Sequence, residues 1–342
     1  LGLVLSTYGI KLAERSLKLA IGNAEGMAER LSTGTMTKRL DSINVESTSE
    51  SRRQWRQLLF QTPDIGDYIS GVIMYDETLR QSDDSGKTLV ELLADKDILS
   101  GIKVDNSTHD LAGAPGEFIT EGLDGLRGRL AEYYKLGARF TKWRALITIG
   151  EGRPSDYAIN TNMHALARYS ALCQEQGLVP IVEPEILMDG THSIDDCRSA
   201  TARSLISVFE ELDAQNVDLE GIVLKPNMVI SGSDAPNRAS AAEVARQTID
   251  CFLETVPTNV PGIAFLSGGQ DDEESVVNLD EINKIANTED LPWELTYSYG
   301  RGLQAAPLAT WLGQVDNVPA AQAAFQKRGL DSSAAREGVY AS

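Results

Sequence analysis

Short apolar runs punctuate this chain at regular distances, and most of them end on a charged or small polar residue. They are 71–75, 101–105, 140–147, 179–185, 221–225, 262–267 and 293–298. Runs this short and this rich in Val, Ile and Leu read as buried strands. Successive runs begin about 30–42 residues apart, room for one strand and one helix each. The intervening segments carry the helical period. Ser240 and Glu243 have capping-box spacing, and Ala245, Ile249, Phe252 and Val256 then share one face. Asp156 to Gln176 repeats the pattern, with Leu166, Tyr169 and Cys173 on one face and Gly177 placed to stop the helix.

Seven strands alternating with helices, and an eighth expected near 25–31, predict an α/β fold, a single (β/α)8 TIM barrel. One domain over 1–342 is expected, with a short C-terminal segment after about residue 330. A doubly wound open sheet is less favoured, because no GxGxxG follows the first strand.

Charge narrows the function. The 342 residues hold 50 Asp and Glu against 31 Lys and Arg, a formal net charge of −19. Broad binding to nucleic acid needs cations that neutralise phosphates, so nucleic acid is not an expected partner. Attraction to an anionic membrane surface is not expected on the same ground. No stretch approaches 18 uninterrupted apolar residues, so no membrane span is expected. Cys173, Cys197 and Cys251 are odd in number and widely spaced, which fits free thiols in a reducing cytoplasmic setting. Neither a basic-then-apolar leader nor an initiator Met opens the chain, and Leu1 is expected to follow a trimmed segment.

Barrel enzymes take their catalytic side chains from the C-terminal ends of the strands. Here Lys103 with Asp105, Lys142 with Arg144, and Glu183 with Glu185 each stand two apart, hence on one face of a strand, and Lys225 closes the next run. A single such lysine could be a stem that snorkels to water. Seven charges on four consecutive strands point to one shared site, since unpaired buried charge is costly. Ser267-Gly268-Gly269 and Gly300-Arg301-Gly302 close the last two runs, and glycine amides with Ser and Arg donors suit an anion. A lysine among other cations is disfavoured as ammonium and becomes a nucleophilic amine. It can condense with a ketone to an iminium that draws electrons from a neighbouring C–C bond, while Glu183 and Glu185 move protons. The bland reading of the same residues is a structural ion network. His109, His164 and His192 lie in separate segments without metal-binding spacing, so no metal is expected. No GxSxG or activated cysteine supports a triad.

The sequence resembles the class I, Schiff-base-forming fructose-bisphosphate aldolases of glycolysis. The resemblance is carried by Gly101-Ile-Lys-Val-Asp105, Lys142-Trp-Arg144, Val182-Glu-Pro-Glu-Ile186, Leu224-Lys-Pro-Asn-Met228, Phe265-Leu-Ser-Gly-Gly-Gln270, Ser298-Tyr-Gly-Arg301 and Leu303-Gln-Ala305. It spans roughly residues 32–340 in the family's order. The resemblance implies Lys225 as the Schiff-base lysine and Glu183 as the main general acid/base, with Glu185 and Lys142 assisting. It implies a site for the phosphate beside the ketone at Ser267, Gly268, Gly269, Ser298, Gly300 and Arg301. The far phosphate would meet Ser32, Thr35, Arg39, Lys103 and Arg144. It further implies fructose 1,6-bisphosphate and triose phosphates as ligands, no cofactor, a homotetramer, and a cytoplasmic or, with a transit peptide removed, plastid location. Some members also bind actin or other partners.

The sequence departs from the family pattern in three places. Its first strand carries Gly-(Ile/Leu)-Leu-Ala-Ala-Asp-Glu-Ser-Thr-Gly, whereas this chain reads Gly26-Met-Ala-Glu-Arg-Leu-Ser-Thr-Gly34. Arg30 and Leu31 therefore stand at the two acidic positions, and Glu29 replaces the Asp only with a one-residue slip that also turns it to the other face. Asn106 stands where the family has Lys, and the chain stops soon after Tyr340, so the family's tail ending in Tyr has no clear counterpart. The leading expectation is an active aldolase. Two alternatives follow from the altered first strand: an aldolase-fold scaffold with little lyase activity, and a Schiff-base enzyme for another sugar phosphate.

Overall fold

The computed structural model describes residues 26–29 and 33–341. Eight parallel strands close into a barrel: β1 (Gly26–Glu29), β2 (Ile69–Met74), β3 (Leu99–Lys103), β4 (Phe140–Ile147), β5 (Val179–Ile186), β6 (Val223–Leu224), β7 (Gly262–Phe265) and β8 (Glu294–Tyr299). Each pairs with the next in sequence, and β8 pairs with β1 through Met27↔Ser298. Around them lie α1 (Thr33–Asp41), α2 (Ser49–Phe60), α3 (Asp76–Leu79), α4 (Leu89–Ala94), α5 (Leu126–Lys135), α6 (Asp156–Glu175), α7 (Ile194–Ala214), α8 (Ala241–Thr255), α9 (Asp272–Ala286), α10 (Arg301–Trp311) and α11 (Val318–Arg336). The C-terminal segment expected after about residue 330 is the continuation of α11, which packs on α2, α9 and α10.

Strand alternation sorts side chains into two cores. Ile73, Phe140, Val179, Ile181, Val223 and Ala264, from five strands, form a small cluster inside the barrel. Trp143, Ala145, Ile147, Val182, Ile186, Leu224, Ile263 and Phe265 face the other way and join the large core under the helices. Phe140 fills the barrel floor because β3 offers Gly101 beside it: a Cβ there would stand 2.1 Å from the ring. With Phe140 pointing inward, Lys142 and Arg144 must point inward above it. By the same parity Val179 and Ile181 place Glu183 and Glu185 inside, and Val223 places Lys225 inside.

Helices α6 and α8 begin at side-chain caps. Ser155 Oγ accepts from Ala158 N at 3.1 Å and Ser240 Oγ from Glu243 N at 3.3 Å. Gly177, at φ +73°, turns the chain from α6 into β5. Tyr169 bolts α6 to the barrel, with its hydroxyl 2.7 Å from Thr141 Oγ1 and 3.2 Å from the Ile181 carbonyl.

Two features differ from the apolar pattern. The run 221–225 contributes only two strand residues, and irregular chain from Lys225 to Gly232 remains buried. Its apolarity reflects burial rather than strand pairing. The ladder still reaches the lysine, since Lys225 N donates to the Val182 carbonyl at 2.8 Å. After β3 the chain also forms an antiparallel hairpin, Ser107–Asp110 with Phe118–Glu121, which the polar sequence there did not suggest. It is fastened by Thr120 Oγ1 to the Arg144 carbonyl at 2.7 Å. Glu117 adds contacts to Ser155 N and Oγ at 2.7 and 2.6 Å.

Candidate active site

The inward parity of β4, β5 and β6 brings three ionisable side chains together below the barrel mouth. Lys225 Nζ donates to Glu183 Oε1 at 2.7 Å, and Lys142 Nζ lies 2.6 Å from Glu183 Oε2. Their side chains are 0 %, 2 % and 1 % exposed, respectively, for Lys225, Glu183 and Lys142. One carboxylate thus serves two amines in a site nearly closed to water, where electrostatic contacts are stronger than at the surface. Asn227 steadies the backbone around them: its Oδ1 accepts from Ile186 N at 3.0 Å and its Nδ2 reaches Thr201 Oγ1 at 3.1 Å.

Above the trio opens a cavity of about 420 Å³. On one side Lys103 is held by the Asp105 carboxylate, and Arg144 by Glu185. Arg39 from α1 faces the same space. On the other side Ser267, Gly268, Ser298, Gly300 and Arg301 gather at the ends of β7 and β8. The Ser298 hydroxyl is buried without a protein hydrogen-bond partner among the described residues, a donor left for a ligand. Arg301 is oriented by its hydrogen bond to the Gln270 carbonyl, and Gln270 is fixed in turn by Asn278 Nδ2 at 2.8 Å. Backbone amides, a hydroxyl and a guanidinium on one side and further cations on the other suit a molecule with an anion at each end.

The structure therefore assembles Lys142, Glu183, Glu185, Arg39, Lys103, Arg144, Ser267, Gly268, Ser298, Gly300 and Arg301 around one cavity, with Lys225 behind Glu183. Gly269 sits just outside the lining, with its carbonyl accepting from Arg238 at 3.0 Å. Ser32, Arg30 and Leu31 lie outside the described residues, and so do the side chains of Glu29 and Thr35. The lining also includes Tyr75, Asp105, Asn106, Ser107, Thr108 and Leu266. Asp105 was recognisable from its place two residues after Lys103. Ser107 and Thr108 were not, because they reach the mouth only through the hairpin.

Other groups stand apart from this chemistry. Burial pushes the Cys197 thiol up to about 11 and Cys251 up to about 12, and Cys173 is raised as well, so none supplies a thiolate near neutral pH. No group of His, Cys, Asp and Glu among the described residues is arranged to hold a metal ion. A larger hollow of about 1140 Å³ lies at the strand starts, lined by Lys96, Arg139 and Arg336 together with Asp64, Asp67 and Asp97. Size alone does not choose the site; convergent strand ends do.

Residues 12–342 match the family model for class-I fructose-bisphosphate aldolase. A probable fructose-bisphosphate aldolase class 1 of Xanthomonas campestris pv. campestris is 51% identical over 310 residues, which cover 90% of this chain and 92% of that protein. The cytosolic fructose-bisphosphate aldolase 4 of Arabidopsis thaliana is 49% identical over 309 residues, 90% of this chain and 78% of the relative. Among solved structures, the fructose-bisphosphate aldolase of Plasmodium falciparum, determined in complex with TRAP and a small-molecule inhibitor, superposes with a TM-score of 0.94. The two chains share 43% identity, and the match covers 98% of this chain and 96% of that one.

Proposed function

Because this chain belongs to the class I fructose-bisphosphate aldolase family, we propose that its reaction runs on Lys225, with Glu183 as the proton carrier. The activity is the reversible cleavage of fructose 1,6-bisphosphate into dihydroxyacetone phosphate and glyceraldehyde 3-phosphate. The family works through a lysine Schiff base and needs no metal. The observation that carries the assignment of residues is the buried contact of Lys225 Nζ with Glu183, itself backed by Lys142.

In this reading Lys225 first passes an ammonium proton to Glu183; the free amine then adds to the ketone carbon, and a proton moves from that nitrogen to the oxygen to give a carbinolamine. Glu183 gives a proton to its hydroxyl, water leaves, and an iminium remains. Glu183, again a carboxylate, accepts the proton of the C4 hydroxyl. The C3–C4 bond breaks, its electron pair passes to C3 and on to the iminium, and glyceraldehyde 3-phosphate departs. Protonation of the resulting enamine and hydrolysis release dihydroxyacetone phosphate and free Lys225. Lys142 and Glu185 assist by holding charge around Glu183 and Arg144. Ser267, Gly268, Gly269, Ser298, Gly300 and Arg301 hold the phosphate beside the ketone. Ser32, Thr35, Arg39, Lys103 and Arg144 hold the far one.

Borohydride added with dihydroxyacetone phosphate is expected to fix a reduced adduct on the peptide that carries Lys225; recovery of that peptide unmodified would sink the assignment. In the same preparation, Glu183→Gln should lower kcat by about 10²–10⁴-fold, the usual worth of a positioned acid/base. We extend the proposal to one domain over 1–342, a homotetramer and a cytoplasmic location. The first two rest on the family resemblance and are checked by limited proteolysis and by sedimentation of the purified chain. The third rests on plant relatives named cytosolic or cytoplasmic, and fractionation of the native cells checks it.

A further inference from the structure

Arg328 belongs to α11 and does not line the cavity, yet its guanidinium reaches the first turns of the two helices, α9 and α10, that follow the cavity's β7 and β8 ends. Its Nε donates to the Gly302 carbonyl at 2.8 Å, and its Nη2 donates to the Asp272 carbonyl at 2.8 Å. Gly302 follows Arg301 directly. Asp272 opens α9, two residues after Gln270, the residue whose carbonyl orients Arg301. The two turns are close neighbours: a Cβ at Gly302 would stand 3.5 Å from Ser267 Oγ and 3.6 Å from Ser275 Oγ.

Arg328 is only 8 % exposed, and its closest ion-paired carboxylate oxygen, Asp331 Oδ2, lies 4.0 Å from Nη1. A buried guanidinium is costly unless its donors are used. Here the short contacts go to main-chain carbonyls on two separate elements, so the planar fork acts as a spacer between them. The Asp272 carboxyl lies in the same field: burial pushes it up, while Arg328, Arg301 and Arg39 pull it back. Three guanidiniums thus bear on one small region beside Ser267 and Ser298.

We infer that Arg328 is a positioning residue for the site of the phosphate beside the ketone, fixing the distance between the Ser267–Gly269 turn and the Ser298–Arg301 turn. The inference rests on the reading of those turns as a phosphate site. It explains why a C-terminal helix far from the strand ends contributes a buried arginine to them.

The test uses the full chain with inorganic phosphate as probe, read as competitive inhibition, beside KM and kcat for fructose 1,6-bisphosphate and a thermal melt. Arg328→Lys keeps the charge but loses the fork, and Arg328→Gln loses the charge but keeps a donor. Each should raise both the inhibition constant of phosphate and KM by about tenfold, the scale of one lost charge-assisted hydrogen bond. The fall in kcat should stay below about twofold, because the Lys225–Glu183 pair is untouched. Arg301→Ala serves as the control. If it leaves phosphate inhibition unchanged, the phosphate-site reading itself falls. If Arg301→Ala weakens phosphate while both Arg328 variants bind it normally, the inference about Arg328 is overturned. A melt for either Arg328 variant far below that of the parent chain, with phosphate affinity intact in whatever remains folded, would make the residue a structural bolt and overturn it too.

Discussion

Lys103 is contacted by the Asp105 carboxylate, and Lys103 Nζ lies 3.2 Å from the Asp105 carbonyl. A phosphate arriving at that ammonium must compete with a carboxylate that is nearly buried. Like charges a few ångströms apart in such a setting repel by roughly a few kcal/mol. Asp105→Asn is therefore expected to lower KM for fructose 1,6-bisphosphate several-fold, while KM for a ketose phosphorylated only beside the carbonyl stays put. Steady-state kinetics on both substrates separate the effects; a rise in both values would instead mean that Asp105 orients Lys103. At this scale, parity along a strand made much of the site legible. Lys142, Arg144, Glu183 and Glu185 follow from a period of two and a few apolar neighbours. Arg328 was not legible, because nothing in Gln326-Lys-Arg-Gly329 separates a buried fork from an ordinary helix-surface arginine. Only the path of α11 across the ends of α9 and α10 gives it its role.

Strands that are buried on both sides announce themselves as apolar runs, which is why 140–147 coincides with β4 and 179–185 falls one residue short of β5. The pattern fails where burial and pairing part company. Residues 225–232 are buried without forming regular strand, and the hairpin at 107–121 is paired but largely exposed and polar. Turn glycines belong to the same scale. Gly269 has φ +74°, and a Cβ on it would stand 2.2 Å from Met188 Cβ in the chain leaving β5. Gly269→Ala must therefore strain the turn and push two elements apart, a cost of roughly 2–5 kcal/mol from left-handed backbone and overpacking together. A melt well below that of the parent chain is expected, along with weaker phosphate inhibition. Gly128, in α5, has nothing within 4 Å of such a Cβ, and Gly128→Ala should leave the melt unchanged or raise it. If the two alanine variants melt alike, steric closure of the 267–269 turn is not what positions it.

At the scale of the whole molecule, two fields act on the substrate. The chain carries a net charge of −19, yet Arg39, Lys103, Lys142, Arg144 and Arg301 converge on one cavity with, among the described residues, Asp105, Glu183 and Glu185 between them. A bisphosphorylated sugar brings about three to four negative charges. Far from the mouth it meets the repulsion of the excess carboxylates; within a few ångströms it meets cations and turn amides. Salt separates the two, since the screening length is about 30 Å at 0.01 M, about 8 Å at 0.15 M and about 3 Å at 1 M. Raising ionic strength from the lowest value should first remove the distant repulsion and raise kcat/KM. Only toward molar salt should the contacts at the mouth weaken and the rate constant fall. The expected profile is a maximum at intermediate ionic strength, measured with sodium chloride so that no added anion mimics phosphate. Because Lys103, Lys142 and Arg144 sit in partly buried pairs, the falling limb should be shallower than for an exposed patch. A decline from the lowest salt onward would show instead that the cavity's own field reaches past the acidic surface and governs the approach.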